Sequence, residues 1–312
     1  MKKVNKIITL CAIPMMAMSA YANAAKTMRV SIGVPESHFE YVGMKMFESY
    51  VEKATDQSID VKIFANNQLG TDQEALENIK QNIIQMNLPD PAVLANIVKE
   101  FNILSLPFIF PSEEVANNVV DGEWGKELSS KLKSAGYVGL GYGNFGFRHV
   151  SNNTRPIKTV ADLEGLKLRT MQNSSHLEAF RALGANPTPM AFSELFSSLQ
   201  QGVVDGQENP YTNIYSQRLY EVQKYISNTG HVYSWVVFVV GQKFYNGLST
   251  TEQQALNEGA RIAINHMRAS VHKQDKESLQ KMIDAGLQYN ELSPEAKAEM
   301  LKIVTPVVKK YA

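Results

Sequence analysis

Residues 28–84 read MRVSIGVPESHFEYVGMKMFESYVEKATDQSIDVKIFANNQLGTDQEALENIKQNII, and the order of elements in this stretch decides the fold class. Met28–Gly33 reads as a strand. His38–Ala54 reads as a helix with Val42, Met46, Phe47 and Tyr50 on one side. Ser58–Phe64 is a second strand, and Asn67-Gln68-Leu69-Gly70 is a turn. Asp72–Ile84 then reads as an amphipathic helix carrying Leu76, Ile79 and Ile83. Strands separated by helices run parallel, because each return needs a crossover. The β-α-β-α order therefore predicts an α/β fold with a largely parallel sheet.

The same alternation continues downstream. After Leu104–Pro111, short helices are expected near Glu113–Asp121 and Trp124–Ala135, and strands at Tyr137–Tyr142, Phe147–Asn152 and Leu166–Arg169. Ser175–Leu183 and Ser193–Gln201 read as helices separated by Asn186–Met190, which holds two prolines. A short strand at Val203–Gly206, a helix at Thr212–Tyr225 and a strand at Trp235–Val240 follow. Thr251 to about Ala285 is continuously helical, and Ser293–Tyr311 closes the chain, with Pro294 at a first helical position. Neither a repeat nor a long linker interrupts the pattern. About 290 residues after export suggest two lobes, with the chain crossing between them more than once.

The first residues read as a secretory signal. Lys2, Lys3 and Lys6 precede an apolar stretch from Ile7 to about Met18, and Ala22-Asn23-Ala24 supplies the small residues of a cleavage site after Ala24. The apolar stretch is too short to span a bilayer. Leu10 stands before Cys11 where a lipoprotein signal needs a small residue. The chain has 31 basic and 31 acidic residues. Removing three lysines leaves 28 against 31, a net −3 that offers no basic excess to hold a phosphate backbone, so no nucleic acid partner is expected. Cys11 is the sole cysteine, so the mature chain holds no disulfide and depends on its core.

Several motifs carry chemistry only in the right context. Gly141-Tyr142-Gly143-Asn144-Phe145-Gly146 matches a dinucleotide-binding pattern, but Phe147–Asn152 alternates like a strand where that site needs a helix. Glycines at an interlobe crossing are the better reading. His266 and His272 are six apart and do not share a helix face, so neither a metal nor a cofactor is expected. No serine sits in a G-x-S-x-G elbow, and no catalytic residue is assigned.

Arg169 is the most informative residue. It ends the strand Leu166–Arg169, and in open α/β sheets ligands bind beyond such ends. A guanidinium there can grip a carboxylate with two parallel hydrogen bonds. The pattern alone fits a structural salt bridge at least as well. Arg148, among Phe145, Phe147 and Val150, fits either a ligand clamp or a stacking residue. Asp205-Gly206-Gln207-Glu208-Asn209-Pro210 places polar side chains after a strand, which again fits a crevice or an ordinary turn and helix cap.

The blocks LKLRTM (166–171), LGANPTPMAFSELFSSLQQGVVDGQENP (183–210) and EVQKY (221–225) strongly resemble the solute-binding subunits of TRAP transporters, the DctP family. NNQLGTDQEAL, LSLPFIF and FGFRHVSNNTRPIKTVADLEGLKLR extend the resemblance across the mature chain. It implies a bilobal periplasmic solute-binding protein, with two α/β lobes, hinge strands and a long C-terminal helix. The boundaries expected are 25–146 plus about 235–274 for lobe I, and 147–234 plus about 275–312 for lobe II. The resemblance further implies a periplasmic, non-enzymatic monomer that hands a small carboxylate ligand to small and large TRAP membrane subunits. By it, Arg169 holds the carboxylate, Arg148 lies close by, Asn209 hydrogen-bonds the ligand and Phe192 packs on it. Asp90 and, more weakly, Asp72 are acidic contacts, and Asn213 and His38 are contacts with the rest of the ligand. Gly33 stands where sialic-acid binders carry asparagine, which leaves the distal half of the site open. The RHVSN segment resembles sugar-acid binders and points to a uronate or aldonate. NIYSQRLYEVQKYI resembles C4-dicarboxylate binders, the second reading. Other organic acids including sialic acid, or a receptor for an ATP-driven transporter, are further alternatives.

Overall fold

The computed structural model describes residues 25–312; the signal segment, its cleavage site and Cys11 lie outside the described residues. In chain order the elements are β1 (Lys26–Ser31), α1 (Phe39–Ala54), β2 (Ile59–Phe64), α2 (Asp72–Lys80), β3 (Met86–Asn87), α3 (Pro91–Leu94), α4 (Glu113–Asp121) and α5 (Glu123–Lys131). Next come β4 (Tyr137–Asn152), β5 (Lys167–Thr170), α6 (Ser174–Ala182), β6 (Asn186–Pro189), α7 (Leu195–Gln200), β7 (Gly206–Asn209) and α8 (Tyr211–Ser216). The chain ends with β8 (Tyr225–Gly241), α9 (Gln242–Asn246), α10 (Thr250–Asp284), β9 (Gln288–Glu291) and α11 (Pro294–Tyr311).

The strands join in the order β2-β1-β3-β8-β4-β7-β5-β6, with β9 beside β8. The flanks are parallel, as the β-α-β-α reading requires, but the centre is not. β4 pairs antiparallel with β8 and β7, and β3 pairs antiparallel with β8. The reason is length. β4 has 16 residues and β8 has 17, so at about 3.3 Å per residue each runs roughly 50 Å and serves two lobes. What reads as two strands around the glycines is this single strand. Its register shifts between Gly139 and Tyr142, Asn144 and Gly146, and Arg148 and Val150, where bulges bend it. Gly146 adopts φ +93°, and a Cβ there would meet Asp275 Oδ2 at 2.7 Å, so no other residue fits without strain.

Each lobe covers its part of the sheet on both sides. Along β8, Val236, Phe238 and Val240 enter one core with Met44, Phe47, Leu256 and Met267. Trp235, Val237 and Val239 enter the opposite core with Leu76, Ile79 and Phe101. In the other lobe, Leu168, Phe180, Met300 and Val304 pack on one side, and Leu195, Ile214, Ile226 and Met282 on the other. α10, at 35 residues, packs on α1, β4 and α8 and so bridges the two lobes. Its capping-box Glu252 also holds Lys26 at 2.7 Å, tying the helix start to β1.

Several boundaries and faces differ from the sequence reading. α1 buries Gly43, Met44, Phe47 and Val51, while Val42 and Met46 are each 42% exposed. Gly43 lets α1 approach α10 until a Cβ there would stand 3.3 Å from Ala263 O, and this close approach sets the helix phase. Burying Phe47 on that line contributes about 1.5–3 kcal/mol. α2 stops at Lys80 because Asn82 turns left-handed (φ +60°), which leaves Ile83 49% exposed. Arg218 (φ +56°) likewise breaks the helix expected over Thr212–Tyr225. The strand expected at Val203–Gly206 lies instead at Gly206–Asn209. Asp205 N donates to Lys167 O, and Gly206 sits where a Cβ would be 2.3 Å from Ser151 O, so the chain enters the sheet there.

Candidate ligand-binding site

A cleft opens where the parallel strands end. β1 leads to Gly33 and Val34, β2 to Asn67, β3 to Leu88 and Asp90, β5 to Met171 and Gln172, β6 to Met190–Ser193, and β7 ends on Asn209. All of these line the cleft. The crossing strands add Phe145, Arg148 and Val236, and helix starts add Glu40, Asp72 and Asn213. This is the crevice that strand polarity predicts for an open α/β sheet.

Arg169 lies in β5, one residue before its end, and is 2% exposed. Its Nε and Nη2 both donate to Met190 O, at 3.0 and 2.7 Å. That fork fixes the guanidinium plane, with the Phe192 ring centroid 5.9 Å away. The remaining nitrogen, Nη1, is buried and has no hydrogen-bond partner among the described residues. Burial lowers the pKa of Arg169 to about 10, partly offset by the charge of Glu208, so the group is cationic at neutral pH.

Arg148 is held quite differently. Its Nε donates to Glu208 Oε2 at 2.5 Å, and Nη2 to Glu208 Oε1 at 2.9 Å and Glu208 O at 2.7 Å. Nη2 also reaches Asn209 Oδ1 (3.2 Å), and Nη1 reaches Ser234 Oγ (3.3 Å). Burial opposes both charges. The pair nonetheless keeps the Glu208 carboxyl far below the usual range and Arg148 above its own, with His231 Nε2 3.1 Å from Glu208. Arg148 thus spends most of its donors on β7 and orients Asn209, whose Nδ2 donates to Gln207 Oε1 at 2.5 Å.

The acidic candidates sit on the first lobe. Asp90 caps α3, accepting from Ala92 N (2.8 Å), and its other oxygen accepts from Ser234 Oγ (2.6 Å), with Arg148 Nη1 3.9 Å away. Asp72 opens α2 and accepts from Asn87 Nδ2 (3.3 Å); burial raises its pKa to about 6. Asn213 lines the cleft with Oδ1 unpartnered among the described residues.

His38 does not join them. It caps α1, with Nδ1 accepting from Glu40 N at 3.2 Å, and its ring packs 4.3 Å from Phe39 and 5.3 Å from Phe145. It lies behind the wall rather than on it, and burial drops its pKa to about 3. The glycine pattern at 141–146 lies inside β4, with no helix start facing it.

Glu40 is a cleft residue that sequence reasoning missed, and the buried pairing of Glu208 was not foreseen either. Glu40 is an acid in the first turn of a helix, which ordinarily needs no further explanation than the helix dipole. Glu208 lies in a strand whose four residues GQEN are all polar or glycine, yet all are buried. Partners on nearby strands, Arg148, Ser151 and His231, explain that burial.

Residues 30–312 match the family described as Bacterial extracellular solute-binding protein, family 7. A solute-binding protein of Verminephrobacter eiseniae is 38% identical, over 82% of this chain and 76% of that protein. The C4-dicarboxylate-binding periplasmic protein DctP of Rhodobacter capsulatus is 37% identical, over 85% of this chain and 80% of its own. The sugar acid binding protein DctPAm of Advenella mimigardefordensis, solved in complex with galactonate, superposes with a TM-score of 0.90 at 32% identity, covering 92% of each chain. A match over nearly all of the described residues, in sequence and in fold, places this chain in the DctP family of TRAP-transporter solute-binding proteins, whose members are periplasmic.

Proposed function

We propose that the receptor captures a small sugar acid, a uronate or aldonate, by clamping its carboxylate on Arg169. One observation carries this reading: a buried, cationic guanidinium lines the cleft with its plane already fixed and Nη1 unpartnered. A buried charge is costly unless paired, and a carboxylate entering the cleft supplies the pair. Phe192 covers the same guanidinium, and Asn209, set by Arg148, adds a polar contact.

The two lobes, 25–146 plus about 235–274 and 147–234 plus about 275–312, close about β4 and β8. Closure expels water and strengthens the ion pair as the local dielectric falls. Asp90, Asp72 and Asn213 then meet the ligand hydroxyls. Export with cleavage after Ala24 delivers a monomer that engages the small and large membrane subunits of the transporter. It binds no nucleic acid and performs no chemistry on its ligand. The name of the Rhodobacter relative favours one second reading, a C4-dicarboxylate.

A thermal-shift screen of the mature protein against uronates, aldonates, sialate and dicarboxylates tests the proposal. A ligand at about a hundred times its Kd adds about 2.7 kcal/mol, which raises Tm by several degrees in a chain of this size. A screen in which dicarboxylates shift Tm and sugar acids do not would move the reading to the second class.

A further inference from the structure

We infer that Glu40 determines which acids the cleft accepts. Its carboxyl takes hydroxyl donors from a polyhydroxylated monocarboxylate, and it admits a second carboxylate only together with a proton. The inference rests on Arg169 holding the first carboxylate.

The observation is a buried acid facing the cleft. Glu40 is 1% exposed and lines the cleft, and its Oε1 has no hydrogen-bond partner among the described residues. It stands on α1 and lines the same cleft as Arg169 of β5. The other acids of its wall are occupied. Asp90 accepts from Ala92 N and Ser234 Oγ, and Asp72 accepts from Asn87. Among the described residues, Glu40 is the acid of this wall with a buried oxygen that has no hydrogen-bond partner.

No cation forms an ion pair with Glu40 among the described residues. On its own helix start is His38, which burial keeps neutral. From α2 comes Asp72, whose negative charge opposes ionisation of Glu40, and from α3 comes Asp90. From β4 comes Arg148, already forked onto Glu208, and from β5 Arg169, forked onto Met190 O. From α10 comes His266, packed where α1 carries Gly43. Burial, and then Asp72, therefore hold the Glu40 carboxyl well above the usual range.

The chemistry then separates two ligand classes. A sugar acid brings hydroxyls, which can donate to Glu40 and Asp72 or accept from them, so it fits either protonation state. A dicarboxylate brings only acceptors to this wall. Its second carboxylate meets Glu40 and Asp72 as like charges unless at least one proton lies between them, as in any close carboxylate pair. Where this wall would otherwise ionise, a dicarboxylate needs a proton retained or taken up there, so its binding weakens as pH rises through that range; binding of a sugar acid does not.

Calorimetric titrations of galactonate and of succinate into the mature protein, at about pH 6 and about pH 8, test this. The expected result is a galactonate affinity that changes by less than about threefold. Succinate affinity should fall as pH rises, by at most about tenfold per pH unit where one wall proton would be lost. Heats in buffers of different ionisation enthalpy should report proton uptake for succinate alone. In Glu40→Gln, galactonate should weaken and succinate gain at the higher pH, moving their ratio by about tenfold. Succinate binding as tightly as galactonate at about pH 8 overturns the inference from the wild-type protein alone. So does a ratio unmoved, within about twofold, in a folded Glu40→Gln. Arg169→Ala keeps the two readings apart: unchanged binding there overturns the clamp itself, whereas an unmoved ratio in Glu40→Gln overturns only the selectivity.

Discussion

Arg148 Nε donates to Glu208 Oε2 at 2.5 Å, with both side chains buried, and this pair joins two strands of the sheet at the edge of the cleft. The partner of the first arginine is built in; the second, Arg169, has a neutral carbonyl for its fork and no partner for Nη1 among the described residues. Two buried cations lie in one cleft with different tasks. One orders the wall, and the other is the cation that we propose receives the ligand.

Glu208→Gln leaves Arg148 buried without its counter-charge. Removing one partner of a buried pair costs about 3–5 kcal/mol, so chemical denaturation should show a loss of that order. The folded-state pKa of Glu208 is depressed. Its stabilisation is therefore present above the ordinary carboxylate range and is lost as pH falls below it, because the unfolded chain takes up the proton first. The difference in stability between wild type and variant should shrink on acidification. A difference independent of pH would contradict the pairing.

Asp275 behaves in the opposite sense. Burial, aided by Glu113, pushes its pKa up to about 8 against a hydrogen bond from the Thr212 backbone. The unfolded chain loses this proton near the usual 3.8 and the folded chain near 8. Stability contributed by the group therefore falls as pH rises between those values. Asp275→Asn keeps the shape and removes the penalty. It should raise Tm at about pH 8, by about 2–4 °C for each kcal/mol recovered, and have little effect at about pH 4. A variant less stable than wild type at both would show that Asp275 is paired as an anion.

His38 caps α1 and is not among the residues that line the cleft. His38→Asn retains an acceptor for Glu40 N and should leave ligand affinity within about twofold. His38→Ala should cost roughly 1 kcal/mol in stability through loss of the cap. A large affinity loss in a stable His38→Asn would return this residue to the binding wall.

The flanks of the fold were legible because periodicity is local. β1, α1, β2 and α4 fall within a residue or two of the expected places, and Glu113–Asp121 coincides with α4. The middle was not. β8 begins at Tyr225, but only its apolar end, Trp235–Val240, reads as a strand; the first half holds Asn228, Gly230 and His231, whose partners come from distant segments. β7 was misplaced for the same reason, since its burial depends on Arg148 and Ser151 some 56 to 60 residues away. Within the site, Arg169 was findable because strand polarity points at it. That Arg148 is already paired was not, because Glu208 meets it only through the antiparallel register of β4 and β7.

The central claim is that Arg169 holds the ligand carboxylate. Titration calorimetry of galactonate into wild type, Arg169→Lys and Arg169→Ala measures it directly. The account predicts wild-type binding and a loss of about 2–5 kcal/mol in Arg169→Ala, thirtyfold or more in Kd. Arg169→Lys should also weaken binding substantially, because the charge survives but the planar fork onto Met190 O does not. A correctly folded Arg169→Ala that binds galactonate as tightly as wild type would contradict the account.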